Sequence, residues 1–335
     1  IRLEGADYIH FNNLKIISEN NTEAKTILLE NGASNNQITN CAIAQYASSN
    51  FSASLSYLVY SETPNDSNTV IQNNKFINGA NGIYLGGVDG TPETGNMITG
   101  NTFTNMSMRG IRLNWQVGCI VESNYIKNAQ YRAMEIANCD LGLLANNMVY
   151  TYNHTGPTQG INITGSANQK IYHNTIRLDE SNNYSIALSI DVTHADLKNN
   201  ILFSSTGYAI NCADSTGFSS DYNIIFSGYI RMTNWLGSEV WGFEAWQDST
   251  GQDLNSYSFE PEFLANDDLH TNDPRLNYVG TPVPEVTTDI DGEARDASHP
   301  DIGADEMDLG VPMAGEYHIG TSRMFKTFTD AVDSI

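Results

Sequence analysis

Three asparagines, Asn101, Asn124 and Asn147, stand 23 residues apart. Around each runs the same phrase: an apolar stretch, the Asn, one residue, an apolar residue, a polar turn, then Gly or Ala before Ile or Met. A period in the range of about 20–50 residues marks a chain built from stacked structural repeats. A compact globule has no use for such a period, so the remainder of the chain reads as extension or closure of this repeat.

Extending the phase in both directions gives Asn13, Asn40, Asn74, Asn101, Asn124, Asn147, Asn174, Asn200 and Asn223 as anchors. The gaps are 27, 34, 27, 23, 23, 27, 26 and 23, a base coil of 23 with loop insertions. The longest insertion covers about Ala47–Tyr57 and Glu62–Asn68. A second signal follows each anchor, an alternating apolar strand such as Ile83–Leu85, Ile111–Leu113, Met134–Ile136, Ile161–Ile163 and Ile186–Leu188. Gly82, Gly110, Ala133 and Gly160 stand immediately before the first four. Period-two alternation sends one set of side chains inward and the other outward. Short strands and the absence of helical periodicity give a parallel β-solenoid with a rise of about 4.8 Å per coil.

Inward asparagines suit this architecture. An amide carries donor and acceptor, so identical amides one coil apart bond along the axis. They also satisfy turn backbone groups that burial would strand. The row is therefore read as scaffold. The chain holds 39 Asn and only 16% charged residues, which fits polar, uncharged turns, while 40% apolar residues suffice for a core. Cys41, Cys119, Cys139 and Cys212 fall at different phases and at no zinc spacing, so they read as four small buried residues.

Charge is uneven. The net charge of −23 divides into −6 over residues 1–238 and −17 over residues 239–335. With no basic patch to neutralise phosphates, nucleic acid is excluded as a partner. A polyanionic glycan is repelled at long range, though a local basic groove could still hold one. No apolar run is long enough to span a membrane. The opening IRLEGADYIHFNNLKI already carries the repeat, with no signal peptide ahead of it, so the chain is expected to begin inside a longer protein.

Residues 229–309 break the pattern. They carry Trp235, Trp241 and Trp246, with a short helix expected near Glu244–Gln247, and then a Pro- and Asp-rich tract. A solenoid end exposes an unpaired edge and an open core, so this segment is expected to plug it. The phrases TGQDLNSYSFEPEF, NDPRLNYVG and DIDGEARDASHPDIGADE resemble the closing cassette of exported bacterial, Bacteroidetes-like right-handed β-helix surface proteins. That resemblance implies a right-handed all-β parallel β-helix with an irregular aromatic and acidic C-terminal cap, in an extracellular or cell-surface setting. It carries no specific activity. The domain organisation follows: coils over 1–228, closing cassette over 229–309, and over 310–335 a linker and the start of a following module of the same polypeptide.

Chemistry concentrates on the outward strand face. Tyr84, Arg112, Glu135 and Asn162 fall one residue into successive strands, and Arg112 and Glu135 share a phase 11 residues past their anchors. Arg109 and Arg132 share another, at the strand entrance. Asn114, Trp115 and Tyr131 lie nearby. Guanidinium, carboxylate, amide and aromatic groups on one ridge suit a polysaccharide or a host or cell-surface glycan. The bland alternative is a surface ion pair worth about 0–1 kcal/mol. A glycosidase needs two carboxylates flanking one bond, and only Glu135 is placed here. A polysaccharide lyase could use Arg112 or Arg132 as charge neutraliser and Lys127 or Tyr131 as base. A structural, adhesive, glycan-meeting module is the leading expectation, with the lyase or glycosidase as alternative. The tract DIDGEARD, with Asp289, Asp291 and Asp296, resembles the start of a calcium loop but lacks the full pattern with its terminal Glu. Asp residues capping turns are the simpler reading there.

Overall fold

The computed structural model describes residues 1–19, 23–45, 55–152, 154, 156–309 and 329. The expected insertion around Ala47 and the following module over 310–335 therefore lie wholly or largely outside the described residues. The coils form a parallel β-solenoid of about 8 turns. Each coil contributes a strand to three successive columns. The first holds Lys25–Glu30, Tyr57–Ser61 and Arg132–Ala137. The second holds Gln37–Thr39, Met97–Thr99 and Ile120–Glu122. The third holds Ala42–Gln45, Tyr125–Lys127 and Met148–Tyr152.

Within the first column Ile83, Ile111, Met134, Ile161, Leu188 and Ile210 stack in register and are fully buried. The expected strand does begin at Ile186, but its register is shifted by two residues, since Leu188–Ile190 pairs with Ile161–Ile163. The small residue before each strand has a steric cause. A Cβ on Gly82 would lie 2.4 Å from the Gly110 carbonyl oxygen and 2.7 Å from the Phe103 ring.

The asparagine ladder is present. Asn74 Nδ2 donates to Asn101 Oδ1 at 3.0 Å, and the bond repeats at Asn101–Asn124, Asn124–Asn147, Asn147–Asn174, Asn174–Asn200 and Asn200–Asn223. Each Oδ1 also accepts the backbone N–H of the preceding ladder residue. At the first two anchors the ladder runs one residue later than the spacing predicts. Asn13 and Asn40 have φ of 56° and 55° and belong to a left-handed row with Asn73, Ser123, Asn146 and Asn199. The ladder positions of their coils are Leu14 and Cys41, whose thiol stands in for the amide and faces the Leu14 N–H at 3.5 Å. All four cysteines are free and buried.

The C-terminal segment does two things. The expected helix spans Phe243–Thr250. Its Trp246 is fully buried and meets Trp235 and Phe218 edge-on at 5.5 and 6.3 Å, closing the core. Trp241 takes no part in the plug and is 59% exposed. Trp246 Nε1 donates to Asp253 Oδ2, while Asp253 Oδ1 accepts Asn223 Nδ2 at 3.1 Å, so one carboxylate ends both core and ladder. The chain then runs back along the outside of the third column. There Leu276 and Ile302 cover Ile201 and Ile224, and Leu269 and Ala304 cover Met148 and Tyr150. The cassette is a flank cover as well as an end plug.

Candidate functional site

The outward positions of the first column form one line: Tyr60, Tyr84, Arg112, Glu135, Asn162 and Ser189 are register partners in succession. Alternation dictates this, because their sequence neighbours Ile83, Ile111 and Met134 point into the core. Arg109 pairs with Arg132 three residues ahead of Arg112 and Glu135.

Three guanidiniums converge on Glu135. Arg132 Nη1 donates to Oε1 at 2.8 Å, Arg109 Nε contacts Oε2, and Arg112 Nε lies 3.7 Å from Oε2. The Glu135 side chain is 10% exposed, whereas Arg112 and Arg132 keep 31% and 22%. The carboxylate thus sits beneath cations that still face solvent. One carboxylate cannot neutralise three guanidiniums, so the group carries two excess positive charges. Their field is strengthened by partial burial.

Aromatic rings hold these cations in place. Arg112 lies over Tyr84 at 4.7 Å, and Arg109 and Arg132 lie 4.9 and 4.7 Å from the Tyr131 ring centroid. Tyr84 packs with Tyr57 and Tyr60 in a buried trio with centroids 4.6–5.8 Å apart. Burial raises the Tyr84 and Tyr60 hydroxyls above the ordinary phenol range, and Glu62 adds to the shift at both. Arg132 Nε also donates to Gln159 Oε1 at 2.6 Å, which fixes the fork. Asn162 is 3% exposed and its Nδ2 meets no acceptor, as is true of Arg112 Nε.

The structure therefore brings together Tyr84, Arg112, Tyr131, Arg132 and Glu135. Asn114 follows on the same strand and accepts Asn138 Nδ2 at 3.0 Å. Trp115 lies at the left-handed turn ending that strand, with φ 53°. Lys127 is on the third column, beside Asp267 at 3.9 Å. Sequence reasoning missed Arg109 as a partner of Glu135 and the tyrosines behind the ridge. Arg109 had a usable signal in sharing the phase of Arg132. Glu62, 3.5 Å from the Tyr84 hydroxyl, sits in an insertion and had none.

The acidic tract is arranged differently. Asp289 Oδ1 accepts the N–H groups of Asp291 and Glu293, and its Oδ2 accepts that of Glu306. Asp296 Oδ1 accepts those of Ser298 and His299. Asp291 instead faces His270 Nε2 at 2.9 Å, and these two with Asp305 place ligand-type atoms within 4.8 Å of one another. Asp268 contacts the other ring nitrogen of His270, and together these carboxylates raise its pKa. Asp289, Asp291 and Asp296 thus occupy separate settings, two of them turn caps.

The model of the right-handed β-helix region matches residues 65–240, more than half of the 335-residue chain. The chain belongs to the right-handed β-helix family. In this β-helix the ridge from Tyr84 to Ser189 lies inside the matched span, and Tyr60 stands just ahead of it. A solved structure, the A-module of mannuronan C-5 epimerase AlgE6 from Azotobacter vinelandii, aligns over 76% of this chain and 89% of its own, with 10% identity and a TM-score of 0.35. No curated protein matches the chain. Among the described residues no helix is long and apolar enough to cross a membrane.

Proposed function

We propose that this β-helix is a structural and adhesive module of a secreted or cell-surface protein, and that its ridge binds the carboxylates of an acidic polysaccharide. The convergence of Arg109, Arg112 and Arg132 on the single carboxylate of Glu135 carries the reading. The group carries two uncompensated guanidinium charges in a chain of net charge −23. Guanidinium forks match carboxylates bidentately. Asn162, on the same line, carries an Nδ2 that meets no acceptor. The solenoid rise of about 4.8 Å presents the polar positions at a regular spacing along an extended polymer.

The test is calorimetric titration with hexauronates over a range of salt concentrations. Binding that weakens with salt and is lost in Arg112→Ala supports the reading. Hexauronate binding unaffected by Arg112→Ala and Arg132→Ala, or no binding at all, overturns it.

A second reading is favoured by one observation, the placement of Tyr131 against two guanidiniums. Arginines that neutralise a uronate carboxylate acidify its α-proton, and Tyr131 beside them is placed as the base that takes this proton while the C4–O bond to the leaving sugar breaks. That makes a lyase the alternative. Release of unsaturated uronate that disappears in Tyr131→Phe and Arg112→Ala decides for it and against a purely adhesive role.

A further inference from the structure

A cleft of about 580 Å³ opens on another face of the rod, between the third strand column and the returning cassette. Its floor is an outward line on successive coils: Thr104, Lys127 and Tyr150 are register partners, and Tyr152 follows Tyr150 on the same strand. Its wall is the turn Asn266–Asp267. That turn joins strands Phe263–Ala265 and Asp268–Thr271. The wall is fixed, because Tyr125 donates its hydroxyl to the Asp267 carbonyl at 2.6 Å and accepts the Leu269 N–H at 3.3 Å. The cleft is therefore made only when the cassette lies against the coils.

Three observations define what it would hold. Tyr150 and Tyr152 stack at 5.5 Å with ring planes 15° apart, and Tyr152 keeps 42% of its surface exposed. The result is a flat aromatic platform at the cleft edge. Amides from Asn105, Asn128 and Asn266 line it together with the charged Lys127, Asp179 and Asp267. The Asn128 Oδ1 is buried and meets no hydrogen-bond donor. These lining charges are paired, with Lys127 3.9 Å from Asp267 and Asp179 2.8 Å from Arg177. The volume is in the range of small-ligand sites, about 300–1,000 Å³.

We infer that this cleft is a second binding site, for a neutral saccharide. A pyranose offers an apolar C–H face for Tyr152 and hydroxyl donors and acceptors for amides, and it needs no counter-charge. An acidic sugar gains nothing where the cations are already matched. The site stands apart from the arginine ridge in position and in charge, and does not depend on the ridge binding anything.

The test titrates the protein with cello-, manno-, xylo- and laminarihexaose and follows saturation-transfer NMR on the sugar. At least one neutral hexasaccharide is expected to bind. Tyr152→Ala is expected to weaken it about tenfold, the equivalent of ~1.4 kcal/mol, and Asn128→Ala to weaken it measurably, with Arg112→Ala neutral. Tyr152 is exposed, so its substitution leaves the fold intact, as an unchanged melting midpoint will show. Absence of binding by all four sugars overturns the inference. Neutral-sugar binding that Arg112→Ala abolishes while Tyr152→Ala leaves it untouched does so too, by placing the sugar on the ridge.

Discussion

Arg295 Nη1 donates to Glu306 Oε2 at 3.0 Å with the guanidinium 2% exposed, deep between cassette and coils. Its Nη2 reaches Asn146 Oδ1 at 2.8 Å and the Gly303 carbonyl at 2.9 Å, so one side chain ties the cassette to a coil about 150 residues earlier. Glu306 returns the favour by accepting the N–H groups of Asp296 and Asp301. Removing one partner of a buried pair costs about 3–5 kcal/mol, because the other charge is left uncompensated. Arg295→Met is therefore expected to lower stability by that order in chemical denaturation. Limited proteolysis is expected to release the segment after Thr250 first. A variant as stable as the parent would show that the cassette's apolar contacts and its other hydrogen bonds to the coils suffice to hold it.

The ladder makes an opposite prediction at Cys41. An Asn there could accept the Leu14 N–H, donate to Asn74 Oδ1 and replace the thiol at the Phe11 carbonyl, which lies 3.6 Å from the sulfur. Cys41→Asn is expected to stabilise the N-terminal coils by about 1 kcal/mol, the net value of one hydrogen bond. Denaturant midpoints check it. A loss of stability instead means that the site cannot accept the larger side chain.

The same column shows what was legible in the sequence. A ladder needs the same residue at the same phase on every coil, so Asn101 to Asn223 could be read from spacing alone. It fails at Asn13 and Asn40 because a second, left-handed row runs one residue ahead. Coils such as Asn73–Asn74 and Asn199–Asn200 carry Asn in both rows, and a single Asn cannot say which row it occupies. The ridge was legible for the same reason as the ladder, since Arg112 and Glu135 share a phase and neighbouring coils must place them side by side. The cleft and the flank cover were not legible. They join residues more than 80 positions apart, as in Asn199 with Thr281 and Tyr125 with Asp267, and no local period encodes such contacts.

Buried carboxylates set the pH response. Glu93 is fully buried and its pKa is pushed up to about 7 by desolvation, with Asp66 nearby adding to the shift. Asp301, also held by burial, is pushed up to about 7. A folded-state pKa above the unfolded value means that the native state binds the proton more tightly. Stability from this source is complete below about pH 4 and declines as pH rises toward 7, at up to ~1.4 kcal/mol per pH unit for each group. Glu93→Gln keeps an acceptor for Asn96 Nδ2 and Gln116 Nε2, now 3.0 and 2.9 Å from the carboxylate, and cannot ionise. It is expected to flatten the stability profile between pH 4.5 and 7 by about one proton's worth and to raise stability at pH 8. A profile parallel to that of the parent would place the titration elsewhere.

Glu135→Gln separates binding from catalysis by the sign of its effect. Gln preserves shape and one acceptor for Arg132 Nη1 but removes the negative charge that three guanidiniums share. For an anion-binding ridge the excess charge rises from two to three, so hexauronate affinity should increase several-fold at low ionic strength. That gain should shrink at high salt, where the screening length falls to about 3 Å near 1 M. The fold should weaken by about 1–3 kcal/mol, since the guanidiniums lose their buried counter-charge. If Glu135 were instead a general acid or base, affinity would be little changed and turnover of a uronate polymer would collapse. Titration of the parent and the variant with the same hexauronate, at two salt concentrations and alongside an unsaturated-uronate assay, distinguishes the two.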